Sequence, residues 1–180
     1  MTVHFKKYLK YGIVAVFIIL LFQPMIFYYG GMINNQDLQA YGYPKDVKNF
    51  DTMVHKTKGL NAEYPDISLL EGQTVLYKWY STDFFGSKPA GYEITFPVEG
   101  IKNRKTVTLT VKDKQHYGDF NIAAWQKYQS IDSIDIYTQQ YNNNNAEVYM
   151  FCKNDIFYEV LITDKNLVET GRDLLISLIS

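Results

Sequence analysis

The sequence predicts an α+β fold: an N-terminal transmembrane helix, then one antiparallel β-sheet domain of five to seven strands with a C-terminal helix packed on one face. Three observations predict it. An uncharged and almost wholly apolar stretch, "GIVAVFIILLFQPMIFYYGGMI", runs from Gly12 to Ile33. From residue 73 the hydrophobic pattern takes a period of two, clearest in "KTVTLTVKD", where Val107, Leu109 and Val111 alternate with Thr106, Thr108 and Thr110. The last residues, "NLVETGRDLLISLIS", set Leu167, Gly171, Leu174, Leu175 and Leu178 on one helical stripe. Such a stripe needs an apolar surface to cover, and one face of an antiparallel sheet supplies it.

The first segment is read as an anchor. Its 22 residues span roughly 33 Å at about 1.5 Å per residue, close to a hydrocarbon core of about 30 Å. Tyr8 and Tyr11 flank one end and Tyr28 and Tyr29 the other, as interfacial aromatic belts do. Pro24 removes one backbone donor, a defect that membrane helices accommodate as a kink. Lys6, Lys7 and Lys10 precede the stretch and no acid occurs before Asp37, so the N-terminus is expected in the cytoplasm and the folded domain outside. Gly12–Phe22 alone has the length of a signal-peptide core, but a cut after Gly30 or Gly31 would put a tyrosine at −3, where a small residue is needed. Cleavage after Ala40, with Leu38 at −3, is the alternative and would release a secreted domain. The expected organisation is a cytoplasmic tail at 1–11, an anchor at 12–33, a tether at 34–43 and an extracytoplasmic domain at 44–180.

Within that domain, Val47, Phe50, Val54 and Thr57 recur at helical spacing, with Pro44 suited to a first turn and Gly59 to a C-terminal cap. This predicts a helix over roughly 45–58, followed by a loop with one helical turn over 60–72. Strands follow at "QTVLYKWYS", which sets Val75, Tyr77 and Trp79 against Leu76, Lys78 and Tyr80, then at "YEITF" and at "KTVTLTVKD". "DFNIAAWQKYQ" (119–129) reads as a short helix opened by Asp119. "SIDIYTQQY", "AEVYMFCK" and "IFYEVLIT" read as three strands joined by the Asn142–Asn145 turn and by Asn154-Asp155, a two-residue hairpin connection. Large apolar groups on both faces of "IFYEVLIT" mark it as a central strand. Asn166 and Glu169 resemble a capping box at the start of the last helix.

Composition bounds the chemistry. The 147 residues after Ile33 are enough for one domain with a real core, and no internal repeat of 20–50 residues is present. Beyond Lys10 there are 15 basic and 19 acidic side chains, a net of −4, with two arginines only; such a domain is poorly suited to grip phosphate backbones, and nucleic acid is set aside as a partner. The single cysteine, Cys152, permits no intramolecular disulfide and, in step with Val148 and Met150, is expected to point inward. No motif calls for a cofactor or metal: there is no phosphate loop, no G-x-S-x-G and no H-E-x-x-H, and "DKNLVETGRD" lacks the oxygen ligands of a calcium loop. His55 and His116 are the only histidines in the outer domain, and a hydrolase reading would have to rest on one of them. Asp132, Asp135 and Glu159 could come together across strands, although paired acids of this kind are usually a solvated rim.

If Val107, Leu109 and Val111 face the core, the opposite face carries Thr106, Thr108 and Thr110, with Lys78, Tyr80, Tyr137 and Gln139 as counterparts on other strands. Such a face suits recognition of a protein or glycan, because Tyr and Thr offer contact area at low conformational cost. Strand propensity alone would also enrich Thr and Tyr on an ordinary solvated face, so both readings are open. "GYEITFPVEGIKNRKTVTLTV", from Gly91, and the ending "FCKNDIFYEVLITDKNLVETGRDLLISLIS" resemble PsbP/DcrB-like domains of bacterial and plastid exported proteins. The chain departs from them at Val98, where a tryptophan often stands, and in a long segment before Gly91. That resemblance implies a non-enzymatic envelope or accessory protein and no catalytic residues. The layout also looks like that of membrane-anchored immunity proteins that neutralise secreted antibacterial toxins. The expectation is a non-enzymatic, single-pass extracytoplasmic module that binds a protein partner, with an envelope accessory or sensor protein as the alternative and a hydrolase using His55 or His116 behind it.

Overall fold

A computed structural model describes residues 42–83, 85–97, 105–117, 124–141 and 146–179. The tail at 1–11, the expected anchor at 12–33, Ala40 and most of the tether lie outside the described residues; among those described, no helix is long and apolar enough to cross a membrane.

Eight strands form one sheet: β1 (Tyr43–Val47), β2 (Leu76–Ser81), β3 (Pro89–Phe96), β4 (Val107–Asp113), β5 (Gln126–Ile131), β6 (Ile134–Tyr141), β7 (Ala146–Lys153) and β8 (Ile156–Ile162). Their order is β1-β2-β3-β4-β8-β7-β6-β5, and every neighbouring pair is antiparallel. The sheet is thus two four-stranded meanders that meet through their last strands, β4 and β8. The helices α1 (Phe50–Thr57) and α2 (Val168–Ile176), with a 3-10 turn at Ile67–Leu70, complete the α+β architecture.

Alternation places the core. Tyr92, Ile94 and Phe96 of β3, Val107, Leu109 and Val111 of β4, and Tyr158, Val160 and Ile162 of β8 are all buried and share one cluster with Met53, Leu70, Leu174, Leu175 and Leu178 from the helical layer. The loop between α1 and β2 is fastened to this core by two buried tyrosines. Tyr92 donates its hydroxyl to the Glu63 carbonyl at 2.5 Å, and the Glu63 N–H donates to the Tyr158 hydroxyl at 2.9 Å. Both phenols therefore bury their rings without leaving a polar atom unpaired.

Several expectations are met. β4 alternates as predicted, β8 is central between β4 and β7, and α2 buries Gly171, Leu174 and Leu175 against the sheet. The Asn154-Asp155 hairpin is present, with φ of 55° and 60° at its two residues, the twist a two-residue loop requires.

Others are corrected. The sheet has eight strands, beyond the five to seven expected, because both edge strands escaped the period-two reading. The predicted helix over 45–58 is a strand followed by a shorter helix. Pro44 sits in edge strand β1, where a missing donor costs little, and Asn49 caps α1 by accepting from the Thr52 N–H at 2.9 Å. The predicted helix over 119–129 is strand β5 from Gln126 onward, tied to β6 by a two-residue turn with Asp132 at φ 48° and Ser133 at φ 68°. Asn166 does not cap α2: Asp164 accepts from the Asn166 N–H at 3.1 Å in a preceding 3-10 turn, and α2 begins at Val168.

Docking of α2 is the seal on this core. Leu174→Ala should lower the unfolding free energy by about 2–5 kcal/mol, as large-to-small changes at fully buried sites do, read by urea denaturation. A loss of only a few tenths of a kcal/mol would mean that α2 is not packed on β8.

Candidate functional site

The side of the sheet away from the helices carries the expected recognition residues. Register places them. One transverse row runs Asp46, Lys78, Glu93, Thr110, Glu159, Met150, Tyr137 and Lys127 across all eight strands. The row on one side of it holds Tyr80, Gly91, Lys112, Phe157 and Cys152. The row on the other side holds Leu76, Thr95, Thr108, Leu161, Val148 and Gln139. Lys78, Tyr80, Thr108, Thr110, Tyr137 and Gln139 therefore share one face. Thr106 lies just before β4, its backbone N–H donating to the Thr163 hydroxyl at 2.8 Å, and stands off the end of the grid.

The centre of this face is a charged network that alternation alone did not single out. Glu93 accepts from Lys78 Nζ at 2.9 Å through Oε1 and from the Tyr80 hydroxyl at 2.5 Å through Oε2. The Lys112 ammonium lies 4.0 Å from the centroid of the Tyr80 ring, a cation–π contact. Gly91 stands between them in register, and a Cβ there would come within 2.8 Å of Lys112 Cγ and 2.2 Å of the Val111 carbonyl. The missing side chain is what lets Lys112 lie flat across β3 onto Tyr80. On the other flank, Tyr117 donates to Glu159 and stacks on Phe157 with ring centroids 4.5 Å apart.

Lys112, on the face opposite α1 and α2, is only 8% exposed. Burial lowers the pKa of its ammonium, with Glu93, Glu159 and Asp113 acting in the opposite sense. Burial likewise raises the Glu159 carboxyl, against the pull of Tyr117 and Lys112. The Tyr80 phenol is pushed far above its ordinary value, first by burial and then by Glu93, so it stays a donor. Among the described residues no buried side-chain nitrogen or oxygen lacks a hydrogen-bond partner. Lys78, Tyr80, Glu93 and Lys112 are thus linked to one another, with both signs of charge close together.

Beside it, Tyr137, Met150, Cys152 and Phe157 line a cavity of about 330 Å³ with Ser133, Ile134 and Asp135 at its edge. Cys152 does keep step with Val148 and Met150, which are buried, but one residue from the end of β7 it is itself exposed, against the expectation, with partial burial still holding its pKa up. Such a thiol lacks the electropositive setting that would activate it. The carboxylates of Asp132, Asp135 and Glu159 are not brought together: Asp135 pairs with Lys127 at 2.7 Å and Ser130 at 2.7 Å, whereas Glu159 meets Tyr117. Of the histidines, His55 is exposed in the last turn of α1. His116 Nδ1 lies 2.6 Å from Asp113 Oδ1 in the turn after β4, and the same oxygen accepts the His116 backbone N–H at 3.0 Å. Among the described residues, no cluster of three or more His, Cys, Asp or Glu is arranged to hold a metal ion.

Comparisons with protein-family models, with curated proteins and with solved structures return no match for this chain.

Glu159 gives the face a measurable signature. Its raised pKa means that the folded chain holds a proton there that the unfolded chain loses above about pH 4.5. The stability this contributes is complete below that pH and lost as pH rises through the folded value. Glu159→Gln removes the term. The stability of the variant relative to the native chain should therefore climb with pH above about 4.5 and then level off, in urea denaturation across the acid-to-neutral range. A difference that does not change with pH would sink the account of Glu159 as a desolvated carboxyl.

Proposed function

We propose that the protein is a non-enzymatic, single-pass, membrane-anchored module whose sheet face opposite α1 and α2 binds a protein partner outside the cytoplasm. The observation that carries this reading is the cluster in which Lys78 and Tyr80 meet Glu93 and Lys112 lies over Tyr80, with Thr110 and Glu159 beside Glu93 in register and Glu159 held by Tyr117. A surface already ordered loses little conformational entropy on binding, which is where affinity for a flat epitope is usually lost. Aromatic groups beside paired charges, with an apolar cavity next to them, form the kind of patch in which a few partner side chains carry most of the energy. The anchor read at residues 12–33 keeps the module at the membrane. A secreted antibacterial toxin arriving from outside is the partner class that this layout suits, with the protein acting as its immunity factor. An envelope accessory or sensor role would use the same face with a resident partner.

A hydrolase reading draws on one observation, the His116–Asp113 contact beside a cavity of about 590 Å³. It is the weaker reading. That carboxylate oxygen also caps its own turn, and the cavity is lined by Asp113, Lys114, Gln115 and Asp155, which supply no hydroxyl or thiol nucleophile.

The test uses the full-length chain in nanodiscs as bait, against a Thr108→Arg/Tyr137→Ala variant. Both positions are half-buried on the face, so the fold should survive the changes. The native chain should hold a protein at one-to-one stoichiometry, and the variant should bind it at least about 100-fold more weakly. Unchanged binding by the variant would move the partner site off this face. If no partner is captured and deleting residues 12–33 changes no phenotype, the whole reading fails.

A further inference from the structure

We infer that the fork between the β5–β6 and β7–β8 hairpins is the anchor point for the partner, and that it takes a large apolar side chain standing next to a lysine or arginine in the partner's chain. The inference rests on the reading of this face as a protein-binding surface and names the chemistry that the surface selects.

The fork follows from the ladders. β5 and β6 are paired down to Ile131↔Ile134, and β7 and β8 down to Lys153↔Ile156, each closing on a two-residue turn. Asp132 and Ser133 in one turn, and Asn154 and Asp155 in the other, hold φ between 48° and 68°, the twist that continues a hairpin to its tip. The β6–β7 ladder between them stops at Tyr137↔Met150, so the two hairpins part beyond that pair. The cavity of about 330 Å³ lies in the gap. Tyr137 and Met150 stand at its base, with Ser133, Ile134 and Asp135 on one prong and Cys152 and Phe157 on the other. A gap bounded by two closed hairpins exists before any partner arrives, so little ordering is left to be done on binding.

The base of the fork suits an apolar group. Met150 and Phe157 are buried and Tyr137 is partly so. A methionine adapts to side chains of different shape through its unbranched thioether, and a tyrosine ring gives a flat apolar wall. Beside the fork, between the β7–β8 turn and the turn after β4, a second cavity of about 590 Å³ is lined by Asp113, Lys114, Gln115 and Asp155. The Asp155 backbone N–H donates to the Cys152 sulfur, so the two cavities adjoin at that pair. An apolar residue seated in the fork therefore brings its chain neighbour over Asp155.

The charges at this end of β4 to β8 decide the sign of that neighbour. Lys127 pairs with Asp135 at 2.7 Å, Lys114 with Asp155 at 3.7 Å and Lys153 with Glu63 at 3.2 Å. Lys112 lies in the field of Glu93, Glu159 and Asp113. Asp113 faces the His116 imidazole at 2.6 Å, and Asp132 is exposed at its turn with no ion pair to any described residue. Asp135 takes both Lys127 and Ser130 on Oδ1, which leaves Oδ2 as an acceptor. Carboxylates thus outnumber ammonium groups around the fork, and a cation is the complementary charge.

The experiment uses the full-length chain in nanodiscs with its methionine methyls labelled for NMR. Met150 at the base of the fork reports binding, and Met53, fully buried on α1, reports the fold. N-acetyl-Trp-Arg-amide should shift the Met150 methyl saturably and leave Met53 in place, whereas N-acetyl-Trp-Glu-amide should bind about 10-fold more weakly, the scale of a few exposed charge contacts. Asp132→Asn/Asp155→Asn keeps residues that tolerate both turns and should bring the two dipeptides within about 2-fold of each other. Cys152→Phe fills the fork from an exposed position and should abolish the shift that either dipeptide induces. No shift at Met150 up to the solubility of the dipeptides, equal affinity for the two in the native chain, or a shift that survives Cys152→Phe overturns the inference. Capture of a partner tests the face by a separate readout: a partner held equally by the native and Cys152→Phe chains leaves the face reading standing and removes the fork as its anchor point.

Discussion

The β4–β8 ladder is the pairing on which both the core and the open face depend. It joins residues 43 to 55 apart in sequence, from Asp113↔Ile156 to Val107↔Ile162, and among the described residues it is the pairing that links the two meanders. Closing so long a loop costs chain entropy that local hairpins do not. The apolar groups brought together must offset it, and here Val107, Leu109 and Val111 meet Ile162, Val160 and Tyr158, all essentially without exposure. A slip of one residue would turn one strand's set to the side opposite α1 and α2. The same slip would take Glu159 away from Thr110 and dismantle the grid.

The two faces of the sheet are closed by different physics. On one side α1, α2 and the loop stapled by Tyr92 and Tyr158 bury apolar side chains. On the other, long side chains lie down across neighbouring strands: Lys112 over the gap at Gly91, Tyr117 over Phe157, Lys78 and Tyr80 onto Glu93. Taking those charges partly out of water is unfavourable in itself, and the hydrogen bonds and ring contacts offset it only in one arrangement. A polar network of this kind adds little net stability. Its physical effect is to give the face one defined shape, which an apolar sheet surface or a fully solvated one would not have.

How much of this was legible in the sequence follows from where the signals come from. β4 and β8 declared themselves because interior strands must satisfy a buried face at every second residue. The edges carry no such demand. In β5, Gln126, Lys127, Gln129 and Ser130 leave no apolar alternation, and β1 lent Val47 to a spurious helical spacing with Phe50 and Val54. The face had the same limit. Thr108, Thr110, Tyr137 and Gln139 could be assigned to one side by parity alone, and Lys112 continues the parity of the threonines. Which charge stands opposite which depends on the register of strands far apart in sequence, so the company of Glu93, Lys112 and Glu159 could be seen only once the β3–β4–β8 ladders were in place. The exposure of Cys152 escaped because parity does not show where cover runs out along a strand: Val148 and Met150 share its side and are buried, and Cys152 stands one residue from the end of β7.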